Sequence, residues 1–169
     1  VATGMCHAIQ AAMADYYRQF HLWFVKGKEG SELDTASDLW KRFHALSWKH
    51  DFFSKFTLMF YTNYTTGQEK RTPWMQRLRH EMKARFGDNV SPAFRQAFRK
   101  ASLPLMKYTN ILSFNTRCFA LFVAIIVFRM PWLYFAFELT VLNMLLIYMM
   151  VRHEHICRRF TEELKEGKF

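Results

Sequence analysis

The chain has 169 residues, 18% of them aromatic, and carries 24 Lys/Arg against 14 Asp/Glu for a formal charge of +10. That length fits a single domain, and three scattered cysteines, Cys6, Cys118 and Cys157, exclude a disulfide framework. The basic surplus excludes a preference for cationic partners and favours phospholipid headgroups, phosphorylated substrates or nucleic acid.

The segment 1–25 reads as a helix, apolar on most faces. At about 100° per residue, His7, Gln10, Tyr17, Arg18 and His21 fall on one side, with Asp15 at its margin. A membrane helix lining a polar cavity gives that pattern; so does an amphipathic helix of a soluble domain. Val1 opens directly into this helix with no charged leader, so no cleavable signal peptide is visible. The expectation is a fragment, with a longer N-terminal part ahead of it. Lys26-Gly27 ends the helix, glycine as C-cap and lysine complementing the dipole.

The segment 26–110 is a basic, amphipathic helical region. Thr35-x-x-Asp38 marks a helix start. Leu39, Phe43, Leu46, Phe53, Phe56, Phe60 and Tyr64 follow at helical spacing, with Lys41, Arg42, Lys49 and Lys55 on other faces. Basic side chains opposite an aromatic face suit a helix lying in the membrane interface, and equally a soluble helix packed on its neighbours. A loop over 62–72 separates it from a helix opened by Thr72-Pro73 and closed by Gly87, with Arg77, Arg79, Lys83 and Arg85 on its surface. Ser91-Pro92 starts another helix, expected to end near Ser102, ahead of Pro104. Gly30-x3-Asp34-x3-Asp38 places two carboxylates on one helix face, where they can share a divalent cation. Acidic residues at a helix start give the same spacing without one.

Two apolar blocks, 111–128 and 131–151, are separated by Arg129-Met130-Pro131-Trp132. A membrane span needs about 20 residues, and proline suits a stop followed by a new start. The expectation is a transmembrane helical hairpin; a buried hairpin of a soluble protein is the alternative. Lys100 and Lys107 precede it and Arg152, Arg158 and Arg159 follow it, which sets both ends in the cytoplasm, with Trp132 and Tyr134 at the far interface. Asn115, Arg117, Glu138 and Asn143 interrupt the blocks, and such groups face helix neighbours or a polar cavity; Arg117 can instead snorkel to the interface. Given the hairpin, anionic lipid and phosphate-bearing substrates rank above nucleic acid. The segment 152–169 is a charged cytoplasmic tail. In it His153-x-His155-x-Cys157 offers zinc-type donors, but alternate residues on a helix point apart, and a basic cluster touching lipid phosphates is the simpler reading. No convincing strand alternation occurs, so the fold class is all-α: a multi-pass membrane helical bundle with a basic cytoplasmic insertion.

The order of pieces resembles the C-terminal half of a bacterial CDP-alcohol phosphatidyltransferase. The pieces are Gly4-Met5-Cys6-His7-Ala8-Ile9-Gln10 running into Asp15-Tyr16-Tyr17-Arg18, a basic excursion containing Thr72-Pro73-Trp74, and a closing hairpin. The resemblance implies a six-helix bundle of the cytoplasmic (inner) membrane, with 1–25 as the fourth helix and the hairpin as the fifth and sixth. It implies a transferase of phospholipid biosynthesis, displacing CMP from a CDP-linked donor with a substrate hydroxyl. Its partners would be membrane lipids and a CDP-linked lipid or alcohol, with no nucleic acid, and it allows a homodimer. The signature D-x2-D-G-x2-A-R-x8-G-x3-D-x3-D is matched only at its tail by Gly30, Asp34 and Asp38, a match we read as accidental. Phe20 and His21 stand where the motif has Ala and Arg. The full signature is therefore expected upstream, together with the ligands for magnesium or manganese, and the chain alone is expected to be inactive. No catalytic residue and no metal ligand is assigned within it. In this picture Arg18, His21 and His7 face the acceptor or its phosphate. The alternative function is a non-catalytic membrane-embedded protein that holds anionic lipid through its basic region. A soluble nucleic-acid binder survives only if the hairpin is not in lipid.

Overall fold

Thr35 shows how local chemistry sets the helix starts: its Oγ1 accepts the Asp38 N–H at 3.1 Å and opens a helix at Ala36. In a computed structural model that describes residues 2–26, 34–87 and 89–169, every regular element is a helix and no strand occurs among those residues. In chain order they are α1 (Ala2–Lys26), α2 (Ala36–Ala45), α3 (Phe52–Lys70), α4 (Pro73–Phe86), α5 (Pro92–Ile111), α6 (Phe114–Ile126) and α7 (Trp132–Lys165), the last carrying a π-turn over Glu138–Leu142. The glycine expected to cap α1, Gly27, lies outside the described residues, as does Gly30. Gly87, at φ 57°, closes α4 by donating its N–H to the Lys83 carbonyl at 3.0 Å, a backbone setting in which glycine carries no Cβ penalty.

Four boundaries differ from the sequence expectation, each for a physical reason. The aromatic run from Leu39 to Tyr64 is not one helix. Leu46 turns extended, and the Asp51 carboxylate accepts the Ser47 N–H at 3.1 Å. Ala36 then meets Glu69 and Trp40 meets Thr66, so α2 and α3 form an antiparallel hairpin. The segment expected as a loop over 62–72 continues α3 to Lys70. Thr62 and Thr66 donate their hydroxyls to the carbonyls of Leu58 and Thr62, which satisfies the β-branched side chains inside the helix. α5 runs on past Pro104 to Ile111, because Phe94, Phe98, Ser102, Leu105 and Thr109 keep one helical stripe buried where α5 packs on α1 and α7. Finally, the block 111–128 is not a single straight helix: Ile111 ends α5, and α6 leaves it at 43°.

After α6 the chain reverses through Arg129, which takes a positive φ of 52°, while Met130 donates its N–H to Ala124 at 2.9 Å. α7 then runs unbroken through 152–165, so the charged tail is the last part of one long helix. The core sits on that part. Tyr17, Phe20 and Phe24 of α1, Leu78 of α4, Phe94 and Phe98 of α5, and Phe160 of α7 pack together, with Phe20 edge-on to Phe98 at 5.5 Å and Phe94 edge-on to Phe160 at 5.5 Å. Full burial of each such ring contributes about 1.5–3 kcal/mol. Among the described residues one helix, Trp132–Lys165, is long and apolar enough to cross a membrane; the bent pair α5–α6 passes the same test if counted as one span.

Candidate functional site

Away from the aromatic core, α1, α6 and α7 enclose a knot of polar side chains. Arg117, in the first turn of α6, is buried, and so is Glu138, in the π-turn of α7. Their charges face each other, Arg117 Nε to Glu138 Oε1, at 3.5 Å. The remaining guanidinium nitrogens donate to the Gln10 side-chain carbonyl, to the Leu112 carbonyl and, at 3.2 Å, to that of Ser113. Leu112 and Ser113 lie in the break between α5 and α6, so Arg117 adds donors to the carbonyls at that break. Gln10 completes the span of the network, its amide donating to Asn143 Oδ1 at 2.8 Å and to the Glu138 backbone carbonyl at 3.4 Å. Asn143 donates to the Leu139 carbonyl at 3.0 Å and to Cys6 Sγ at 3.4 Å, and His7 Nδ1 lies 3.4 Å from Glu138 Oε1. The π-turn is part of this design: an extra residue in the turn breaks the regular ladder where Glu138 and Asn143 must both point inward, a common device at functional sites.

A second polar group is buried beside the aromatic core. The His153 ring lies 4.2 Å from that of Tyr17, its Nδ1 contacts Cys157 Sγ at 3.5 Å, and its Nε2 and the Tyr17 hydroxyl have no hydrogen-bond partner among the described residues. Burial, with a smaller push from His21, drives the His153 pKa down to about 3, so the imidazole is neutral. Glu154, next in sequence, keeps a carboxylate oxygen within 4.8 Å of these donor atoms, and its carboxylate accepts the Trp74 N–H at 2.7 Å and the Met75 N–H at 3.3 Å. It therefore caps α4, a role the sequence assigns to Thr72, whose hydroxyl instead donates to the Gln68 carbonyl at 2.9 Å.

The polar stripe of α1 is divided among three surroundings. His7 and Gln10 join the Arg117–Glu138 knot. His21 is buried against Ser102 of α5, Nδ1 to Oγ 2.8 Å. Arg18 is exposed, away from both groups. Arg117 does not snorkel; its charge stays inside. The interruptions in the apolar blocks were the signal for the knot, but which of them pair could not be read from spacing. Nothing in the sequence pointed to the pairing of Tyr17 with His153.

Among the described residues, neither the Asp34–Asp38 pair nor the group around His153 fits magnesium or manganese. Asp34 pairs with Arg42 at 3.9 Å, while Asp38 accepts from Thr35 at 2.8 Å and from Lys41 at 3.2 Å. The Thr35 hydroxyl, and after it Lys41, hold the Asp38 carboxyl below its ordinary range. His153, Glu154 and Cys157 bring donor atoms within 4.8 Å of one another, but a nitrogen–sulfur pair is the wrong chemistry for a hard cation, and Glu154 is engaged by the α4 N-terminus. His155 is exposed, apart from them. No protein-family model, curated protein or solved structure matches the chain.

Proposed function

We propose that this chain belongs to an integral, multi-pass protein of the inner membrane that acts on phospholipid. In this reading the N-terminal part of α1 and the α6–α7 hairpin as far as Val151 lie in lipid, and α2–α4 form a basic layer on the cytoplasmic face. The observation that carries it is an inversion of polarity. Arg117 and Glu138 are each 2% exposed, whereas Phe119 is 71%, Phe122 67%, Met144 62% and Ile147 60% exposed. Water would favour the opposite arrangement, while hydrocarbon favours this one. Only 22% of the most apolar stretch of α7 is buried, unlike the core helix of a soluble protein.

The activity we propose is that of a CDP-alcohol phosphatidyltransferase, transferring a phosphoalcohol or phosphatidyl group from a CDP-linked donor to a hydroxyl. It rests on the resemblance of the sequence pieces. Arg18, exposed on α1, is available to an anionic substrate, and guanidinium is suited to phosphate. No step through a metal is assigned to this chain. The test is CMP release from CDP-diacylglycerol by the parent protein in nanodiscs, with a series of hydroxyl acceptors and Arg18→Lys alongside. Acceptor-dependent CMP release, weakened about tenfold or more in Arg18→Lys, supports the reading. Absence of release from a folded, membrane-inserted parent would leave the chain as a non-catalytic lipid-holding protein.

A further inference from the structure

We infer that the groove between α1 and α3 is a binding site for an anionic phospholipid, with its phosphate on Arg71 and an acyl chain along α1. The inference rests on the membrane reading above. The groove holds about 190 Å³ and is walled by Ala8, Ala12 and Met13 of α1 and by Asn63 and Gly67 of α3, with Arg71 at its end. Small residues make the room: alanine on one wall and glycine on the other leave an apolar channel, braced where Gln68 donates to the Ala12 carbonyl at 2.8 Å.

Arg71 is positioned rather than merely near. Its Nη1 donates to the Gly67 carbonyl at 2.7 Å, which folds the side chain back over the groove. A Cβ at position 67 would stand 3.0 Å from that same nitrogen, so an alanine there would push the guanidinium a few tenths of an ångström from its place. The nearest acidic neighbour in sequence is otherwise occupied: Glu69 pairs with Arg79 at 3.5 Å and accepts the Ala36 N–H at 3.1 Å, while the exposed Asp15 acts on Tyr64 of the groove wall. Among the described residues no carboxylate pairs with Arg71. An always-charged guanidinium with free N–H groups beside an apolar channel is the chemistry of a phosphodiester headgroup on a hydrocarbon tail. Zwitterionic lipid offers the same phosphate, but its cationic headgroup would meet the positive charge of Arg71.

The experiment uses the full protein in mild detergent, titrated with phosphatidylglycerol or phosphatidylcholine and read by native mass spectrometry. Three variants accompany it: Arg71→Gln, Gly67→Ala, and Lys49→Gln as a charge control away from the groove. The parent should bind phosphatidylglycerol about tenfold tighter than phosphatidylcholine, a preference worth about 1.4 kcal/mol. Arg71→Gln should abolish that preference, and Lys49→Gln should keep it. Gly67→Ala should weaken phosphatidylglycerol without lowering the melting temperature, because alanine is the better helix former. Retention of the preference in Arg71→Gln, or its equal loss in Lys49→Gln, would overturn the site. Alkaline carbonate extraction of native membranes separates the two failures. A protein that stays in the membrane without lipid preference loses only this inference, whereas one that is released loses the membrane reading with it.

Discussion

Arg117 illustrates how a single side chain can join three helices. It faces Glu138 of α7, holds Gln10 of α1, and covers the carbonyls at the α5–α6 break. Removing one partner of a buried pair leaves the other charge uncompensated, which costs about 3–5 kcal/mol, while removing both is far milder. Arg117→Met should therefore destabilise strongly, and Arg117→Met with Glu138→Leu should recover most of the loss in thermal unfolding in detergent. Simple addition of the two single losses would show that the pair is not coupled. His153 makes a different prediction. Its folded pKa, about 3, lies below the ordinary 6.5, so the unfolded chain binds more protons between those values. The stability is present in full above about pH 6.5 and declines as pH falls toward 3. His153→Phe should flatten the melting-temperature profile across that window; an unchanged slope would place the acid sensitivity elsewhere.

Among the elements, α4 and α7 show how a helix can be capped from a distance. Pro73 at the first position removes one orphan N–H, and Glu154 accepts two others from across the interface. The negative charge also complements the positive end of the α4 dipole. Glu154→Ala should cost about 1–2 kcal/mol and speed hydrogen exchange at the Trp74 amide. Glu154→Gln, which keeps an acceptor oxygen, should lose less. Equal exchange at Trp74 in all three proteins would mean that another group satisfies the α4 start. The aromatic ladder running from the α2–α3 connection into α3 has a contrasting character. Trp48, Phe52, Phe56 and Phe60 follow one another at ring separations of 5.9, 6.0 and 4.9 Å, yet all four are exposed. A soluble helix packed on its neighbours would cover that face; here the chain leaves it open.

For the whole molecule, two kinds of interior lie end to end. Around the C-terminal half of α7 the packing is apolar inside and charged outside, with Phe94, Phe98 and Phe160 enclosed and Arg158 and Arg159 exposed. Around the hairpin the order reverses, with Arg117 and Glu138 within and a wall of Phe, Ile, Val and Met outside. That change of polarity along one helix suits a passage from cytoplasm into hydrocarbon, with Val151 and Arg152 near the boundary. In intact cells, Lys100→Cys and Arg152→Cys should resist an impermeant maleimide that labels Arg129→Cys, and opened cells should expose the first two. Labelling of Lys100→Cys and Arg152→Cys from opposite sides would sink the hairpin topology.

The helical class, the two apolar blocks, the Thr35 start and the Gly87 stop follow from the sequence alone, because periodicity and capping depend on residues within a turn or two of each other. The helix ends at Leu46 and Lys70 rest on local bonds four residues apart, Asp51 with Ser47 and the back-bonded threonines, that apolar periodicity does not reveal. The end at Ile111 needed the fold, since the packing of α5 on α1 and α7 overrides the break expected at Pro104. The polar knot needed it still more. Arg117 and Gln10 are 107 positions apart, and Gln10 and Asn143 are 133 apart. A pattern read along the chain can mark these groups as out of place among apolar neighbours. Only packing three helices together decides which of them meet, because each buried polar group must find its partner across space.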